Sequence, residues 1–473
     1  MATAGEKIFA GSRIRDLRTR NGKSQQALAT ALGLSASYLN QIENDQRPLT
    51  PGILLKLCTL FGVEPTWFSD SGDIQRMQVL REILGDPLFS AMPYPRQLQE
   101  AVRGAPWLCD QFVTLYRAFR ALREERGQGG AVMPAPQPGT GSYDTVGDWV
   151  QAERNYFDEI DRAAEGLYET ARLDEGGPAE MLGRYLRDRH DIRIVTDAGL
   201  DREGVMWRFD RRARRLSVTG GVPPESSAFW LAQVIGRLDY GQILARPVRR
   251  SGLGSADARA LATVGMSNYF AGALLLPYER FRRAARQTRH DLDLLQRQFG
   301  VSFEQVCHRL STMQRPGAEG IPFYFIKTDI AGNVLKSYSA TRFSRARFGG
   351  LCAQWNVFEC FSAPGKLHVQ MSRTTDDAVY ISVARTVGHS PVSYFDRPRL
   401  VAIVLGCAVS HAPELVYSAG LDLADDRMVI PIGPGCRACI RTDCRHRAIP
   451  ATGFGIDAGS EERGVVPYHM VAP

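Results

Sequence analysis

Three cysteines stand close together near the end of the chain, in GPGCRACIRTDCRH, as Cys436-x2-Cys439-x4-Cys444. Thiolates are soft donors that take zinc, or iron with sulfide, and the flanking Arg437, Arg441 and Arg445 favour the ionised form. Cys407, upstream in LGCAVSHA, is the candidate fourth thiolate. Four thiolates suit either a tetrahedral zinc or a [4Fe-4S] cube, and spacing does not choose between them. His411 and His446 are alternative ligands, although a histidine near such a cluster is more often a satisfied surface or core residue. The remaining cysteines, Cys58, Cys109, Cys307, Cys352 and Cys360, are scattered and read as buried small hydrophobes. A second concentration of chemistry lies near the start, where KSQQALATALGLSASYLNQIENDQR carries Ser24, Gln25, Ser35, Ser37, Asn40, Gln41 and Arg47. Ser and Asn cap helices, and Asn and Gln amides can pair in two places with adenine.

The elements that must position those polar groups are short helices. Ser24 caps a helix with Leu28, Ala29 and Leu32 on one face, Gly33 ends it in a left-handed turn, and Ser35 caps a second helix burying Tyr38 or Leu39 and Ile42. The interval between them allows only a tight corner, the geometry of a helix-turn-helix whose second helix enters the major groove. Thr50 and Pro51 then start the helix of Ile53, Leu54 and Leu57 that completes a small core. The stretch from Ile8 to Phe68 resembles the Cro/C1-type (XRE-like) DNA-binding domain of phage repressors. That resemblance puts Gln25 on a phosphate or base, turns Ser35, Ser37, Asn40 and Gln41 toward the groove, and sets Arg47 on the DNA backbone. The competing reading is a set of solvated polar faces on a helical bundle. Domains of this kind bind near-palindromic operator DNA as dimers, so a homodimer is expected.

ESSAFWLAQVIGRLDYGQ together with VGMSNYFAGALLLPYERF resembles the IrrE-like zinc-metallopeptidase domain, over about Asp144 to Pro316. There, two His one helical turn apart hold zinc, the Glu between them is the base, and a second helix supplies a further acidic ligand. Gln233, Val234 and Arg237 occupy the His, Glu and His positions here, and Met266 occupies that of the later Glu. Arg cannot ligate zinc and Val cannot act as a base, so hydrolysis by this route is not expected. A scaffold kept without its metal suits a ligand-binding or regulatory body.

The whole chain has 473 residues, enough for about three domains. Its 58 Lys and Arg exceed its 51 Asp and Glu to give a net charge of +7, a thin excess that favours a polyanionic partner without demanding one. At 44% hydrophobic and 23% charged it is an ordinary globular composition, and no apolar run approaches the roughly 18 residues of a spanning helix. No signal core is visible at the start, so a cytoplasmic protein without a membrane partner is expected, its nine cysteines mostly reduced.

The expected fold is multidomain: an α-helical helix-turn-helix head, a helical degenerate IrrE-like middle and an α+β C-terminal region. Residues 1–70 form the head, 71–126 a helical connector suited to dimerisation, and 127–142, rich in Gly and Pro, a linker. Residues 143–316 form the middle domain, with one long helical pattern from Thr145 to Leu173 and a capping box at Ser302 and Gln305. Residues 317–400 alternate as strands and form a β-rich sensory region; 401–473 form a Cys-rich region with a tail left unassigned from Ala451.

This order, with GGLCAQWNVFECFSAPGKLHVQ and PIGPGCRACIRTDC, resembles the short-chain fatty acyl-CoA regulators, a family of bacterial transcription factors. The resemblance covers nearly the full length and is closest in kind to propionyl-CoA-responsive members. It implies control of propionate or acetate genes by an acyl-CoA effector, propionyl-CoA foremost, and an iron–sulfur cluster on the tail cysteines, with zinc as the alternative. A CoA site needs cations for phosphates, an aromatic face for adenine and a small dry pocket. Phe157, Arg208, Tyr269, Phe270, Arg309, Lys327, Lys336, Arg342 and Trp355 are the candidates, each with the competing reading of a core aromatic or a solvated cation. The rival functions are a redox or metal sensor acting through the cysteines and, disfavoured by its missing ligands, a metallopeptidase.

Overall fold

The structure, a computed structural model, describes residues 10–44, 46–61, 71–86, 88–89, 95–127, 140–220, 222–341, 343, 351–388, 399–451, 453–459, 461 and 464–471. The head contains α1 (Gly11–Arg20), α2 (Gln25–Leu32), α3 (Ala36–Glu43) and α4 (Pro51–Phe61). The expected caps form: Ser24 Oγ accepts from the Ala27 N–H and Ser35 Oγ from the Tyr38 N–H, both at 3.1 Å. Gly33 closes α2 at φ +69°, a conformation that costs glycine nothing. Ile14, Leu28, Leu32, Leu39, Ile42 and Leu57 share one buried core.

The connector is three helices, α5 (Ser71–Leu84), α6 (Pro95–Gly104) and α7 (Pro106–Gly127). They pack through Leu80, Leu98 and Val102 on one side and Ile83 and Tyr116 on the other. Most of the expected linker lies outside the described residues, and helix resumes at Thr140.

The middle domain contains α8 (Thr140–Ala152), α9 (Asp158–Thr170), α10 (Pro178–His190), α11 (Gly199–Arg202), α12 (Pro224–Asp239), α13 (Gly241–Arg250), α14 (Ala256–Leu275), α15 (Tyr278–Gln287), α16 (Leu292–Phe299) and α17 (Phe303–Ser311). The single helical pattern expected from Thr145 is two helices, because Arg154 and Asn155 turn left-handed at φ +54° and +57°. Strands β1 (Arg193–Thr196), β2 (Trp207–Asp210) and β3 (Arg215–Val218) form a small sheet in the order β1-β3-β2, with the expected hairpin over the DRRARR tip. The capping box of Ser302 and Gln305 is present on both sides.

The C-terminal part is built on β4 (Tyr324–Asp329), β5 (Val334–Ser339), β6 (His368–Arg373), β7 (Val379–Gly388), β8 (Leu400–Ala408) and β9 (Val429–Pro431), in the order β5-β4-β8-β7-β6-β9. Among the described strands of this sheet, only β6 and β9 pair in parallel. A division at residue 400 is therefore incorrect: β8, expected to open a separate Cys-rich region, is central to the sheet between β4 and β7. A strand hydrogen-bonded on both edges and covered on both faces reads as a continuous apolar run, the pattern of LVAIVLGCA. The stretch after it forms 3-10 turns (Val409–Glu414, Val416–Ser418), and the tail pairs β10 (Gly455–Asp457) with β11 (His469–Val471).

The two faces of this sheet have different covers. Phe325, Ile381, Ile403, Leu405 and Cys407 join the apolar core of the middle domain, so helices and sheet share one continuous interior. Tyr324, Tyr380, Ala402 and Val404 face the other way, onto Trp355, Val357, Cys360 and Ile432 around α18 (Asn356–Glu359). The period of two along β8 thus decides which side chain meets which neighbour.

Candidate nucleic-acid interface and ligand sites

In the head, α3 presents Ser37 and Asn40 to solvent with Gln41 half-buried beside them. Ser35 Oγ serves as the cap of α3. Gln25 is half-buried and works inside the protein: its Nε2 donates to Asn40 Oδ1 at 3.2 Å and to Glu43 Oε2 at 3.0 Å. Glu43 is nearly fully buried and also accepts from Arg18 Nε at 2.7 Å, a pairing that lifts the Arg18 guanidinium further above its ordinary value. The result is a fixed scaffold under the α3 amides, with Asn44 Nδ2 donating to Asn40 Oδ1 at 3.0 Å. Arg47 is exposed, its guanidinium 5.2 Å from the Tyr38 ring centre.

The expected CoA contacts do not all converge on one site. Phe157, Tyr269 and Phe270 are buried in the helical core, Phe157 edge-on to Tyr269 at 5.3 Å. Arg309 is fully buried and committed to Asp161, with its Nη1 and Nη2 each 2.8 Å from a carboxylate oxygen. Burial draws the Arg309 pKa down, but the Asp161 charge and hydrogen bonds more than offset this and leave it raised. None of these four has a face or a donor to offer a ligand in this arrangement. Arg208 is exposed on β2 and paired with Glu203. Arg342 lies outside the described residues, and Trp355 is buried against Phe343.

Two candidates do meet. Lys327 on β4 and Lys336 on β5 are cross-strand partners. Lys327 Nζ bonds Glu304 Oε2 at 2.7 Å, whereas Lys336 lies 5.3 Å from the Tyr338 ring centre and 5.9 Å from that of Phe325. Burial lowers the Lys336 pKa. Beside them the His308 imidazole is held well below its ordinary value, first by burial and then by the charges of Lys336 and Arg309. Lys336 keeps a donor suited to a phosphate beside the half-buried Tyr338 ring, whereas Phe325 is fully buried and offers no face.

Cys407, the expected fourth thiolate, does not stand with the other three. Cys407 points from β8 into the helix-covered core, where burial pushes its thiol up to about 12. The cysteine loop lies against the opposite face of the sheet, alongside Ile432. Cys352, read from sequence as an isolated core cysteine, is instead the thiol near the cluster. Burial raises its pKa, hydrogen bonds from the Gly433 and Gln354 backbone lower it, and the charges of Cys439 and Cys444 raise it further. Cys439 packs onto Gly433 so closely that a Cβ there would sit 2.5 Å from its sulfur, and Gln354 Nε2 is 3.7 Å from Cys444 Sγ. Arg447, buried, ties the loop by donating to the Cys436 and Cys439 carbonyls at 2.9 and 3.1 Å. Among the described residues no three potential ligands stand close enough to hold a metal as they are, although thiols are in kind the donors a soft metal takes.

At the degenerate zinc position, Gln233 Nε2 donates to Asn268, Val234 and Met266 are buried, and the exposed Arg237 guanidinium is 5.4 Å from the Trp207 ring centre. Phe270 rests against Gly236, where a Cβ would lie 2.7 Å from the ring, so α12 and α14 approach closely here.

The chain is 38% identical to the HTH-type transcriptional regulator RamB of Mycobacterium tuberculosis, over 98% of each chain. It is 37% identical to the HTH-type transcriptional regulator PrpR of the same species, over 99% of this chain and 97% of that one. A third relative, the propionyl-CoA carboxylase regulator of Cereibacter sphaeroides, is 37% identical over 98% and 99%. The short-chain fatty acyl coenzyme A regulator C-terminal domain matches residues 312–468. The chain belongs to the family of short-chain fatty acyl coenzyme A regulators. A helix-turn-helix domain matches residues 14–68 of this regulator and an IrrE N-terminal-like domain residues 187–311. A solved Mycobacterium tuberculosis transcriptional regulator, 38% identical, superposes with a TM-score of 0.66 over 69% of this chain and 99% of that one. The regulator is thus a DNA-binding transcription factor, and its relatives are regulators rather than enzymes. Among its described residues no single helix is long and apolar enough to cross a membrane.

Proposed function

We propose that this regulator controls genes of short-chain fatty acid assimilation, propionate or acetate, in response to a short acyl-CoA, with propionyl-CoA the foremost effector. The observation that carries the reading is the Lys327–Lys336 pair beside Tyr338, a phosphate-and-base cradle on the hairpin edge of the family's C-terminal domain. The shared core of helices and sheet gives a ligand there mechanical access to both. Coupling requires only that the effector prefer one arrangement over another. A native-state ligand at 100 times its Kd stabilises the fold by about 2.7 kcal/mol. Thermal melting of anaerobically purified protein with free CoA and acetyl-, propionyl-, butyryl- and methylmalonyl-CoA is expected to rise selectively with propionyl-CoA, and Lys336→Ala to lose most of that rise. No rise with any thioester would exclude the reading.

The regulator is further proposed to act as a homodimer on a near-palindromic operator. Trp107, Leu108 and Leu115 are exposed along α7, a stripe that a second copy would cover. On DNA, Gln41→Ala is expected to weaken operator binding by about 1–3 kcal/mol, roughly 5- to 150-fold, while leaving binding to unrelated duplex nearly unchanged. Anisotropy titrations on both duplexes test it; an equal loss on both would assign Gln41 to the DNA backbone.

A metal or iron–sulfur cluster is proposed on Cys352, Cys436, Cys439 and Cys444. Helix α5 of the connector lies against the short turn Cys436–Ala438, so closing that loop on a metal would be felt by the helices leading to the head.

A further inference from the structure

A cavity of about 200 Å³ opens where α15, the end of α17 and the turn Val409–Glu414 meet, away from the lysine pair and from the cysteines. At about 30 Å³ per water it holds roughly seven waters, too little for a nucleotide-bearing thioester. Its floor is apolar, formed by Leu310, Met313, Ile321 and Phe323. Its rim is charged, and the charges are unequally satisfied. Arg282 donates to Glu279 Oε2 through Nε at 3.1 Å and Nη2 at 2.9 Å. Glu319 accepts from the Gly317 N–H at 3.1 Å, and Glu414 Oε1 lies 2.9 Å from His411 Nδ1. Arg286, exposed in the last turn of α15, has no side-chain partner among the described residues.

One wall of the cavity is strained and clamped. Arg289 and His290 both hold left-handed backbone at φ +50° and +58°, which is uncommon for one such residue and rarer for two in succession. The segment after β8 fixes them: the Val416 N–H donates to the Arg289 carbonyl at 2.8 Å, and Arg289 Nη2 donates to the Pro413 and Leu415 carbonyls at 3.0 Å each. His290 is buried with its Nδ1 3.3 Å from the Glu414 carbonyl oxygen. Strain that the surroundings over-determine points to a constrained site, here at the junction of the helical domain and the sheet.

We propose that this cavity is a second ligand site, for a small aliphatic carboxylate whose charged head pairs with Arg286 and whose chain of a few carbons lies on Leu310, Met313 and Phe323. The planar guanidinium matches a carboxylate with two parallel hydrogen bonds, and the apolar side chains of Leu310, Met313 and Phe323 take the chain. The site differs from the acyl-CoA reading in place and in ligand; the carboxylate arms of its test stand without that reading, and the propionyl-CoA arm alone rests on it. The test is thermal melting of the full-length protein with sodium butyrate and sodium hexanoate, against butylammonium chloride at matched ionic strength. Both carboxylates raise the melting temperature in a saturable way and butylammonium does not. Arg286→Gln, on an exposed side chain, folds as the wild type does, weakens carboxylate binding at least tenfold and keeps the response to propionyl-CoA. A wild type unmoved by either carboxylate would overturn the site. So would an equal response to butylammonium, an unchanged carboxylate midpoint in Arg286→Gln, or joint loss of the carboxylate and propionyl-CoA responses.

Discussion

Replacing Asp161 with alanine is expected to cost about 3–5 kcal/mol of stability, the penalty for stranding a buried charge without its partner. Asp161 is fully buried on α9 and serves three groups at once. It accepts two 2.8 Å bonds from Arg309 on α17, one of 2.7 Å from the Tyr269 hydroxyl on α14, and approaches Arg315 at 3.5 Å. Arg315 is also buried, lies 4.0 Å from the Tyr278 ring centre, and donates to Glu165 and to the Tyr156 hydroxyl. Without the carboxylate Arg309 keeps only the Leu276 carbonyl and the Thr312 hydroxyl, neither of which carries charge. Tyr269, whose pKa burial and the Asp161 charge hold well above the ordinary value, would lose its acceptor too. The measurement is a urea transition followed by tryptophan fluorescence: the midpoint falls with the slope unchanged. A double replacement, Asp161→Leu with Arg309→Met, should recover part of the loss, since an apolar pair of similar volume avoids burying either charge. A single Asp161→Ala variant within about 1 kcal/mol of wild type would mean that water reaches these arginines.

The second large effect concerns the cysteines. Cys352→Ser is expected to lose most of the bound metal after anaerobic loading, and Cys407→Ala to keep it in full. Cys407 is sealed in the core on the helix-covered face of β8, its thiol held neutral by burial, and no rotamer brings it through the sheet. Cys352 sits close enough to Cys439 and Cys444 for their charges to shift its pKa. Iron, zinc and acid-labile sulfide per chain, with the visible absorbance of the loaded protein, read the outcome and also decide between cluster and zinc. Metal retained in Cys352→Ser and lost in Cys407→Ala would reverse the assignment.

These two expectations also mark where sequence reasoning worked and where it stopped. The caps at Ser24, Ser35 and Ser302, the left-handed Gly33 and the strands from FYFIKTD to AVYISVART were legible because each depends on residues a few positions apart. The helix-turn-helix follows from those signals, and with it the exposed amides of α3. The sequence reads Gln25 as a DNA contact, and the structure adds that its amide also bonds Asn40 and Glu43, which its position beside a capped helix start does not signal. Phe157, Tyr269, Phe270 and Arg309 are of types that suit CoA, but the two phenylalanines fill the apolar core and Tyr269 and Arg309 belong to the buried Asp161 network. Nothing in local sequence separates the two uses.

The sequence by itself determined the local elements, the helix-turn-helix, the loss of the zinc ligands and the proximity of Cys436, Cys439 and Cys444. Tertiary structure decided that Cys352 and not Cys407 joins them, that Lys327 and Lys336 face each other, and that helices and sheet share one core. The reason is range. Periodicity and capping act over a helical turn or a strand pair, whereas the face a side chain meets depends on register and on which distant segment covers that face.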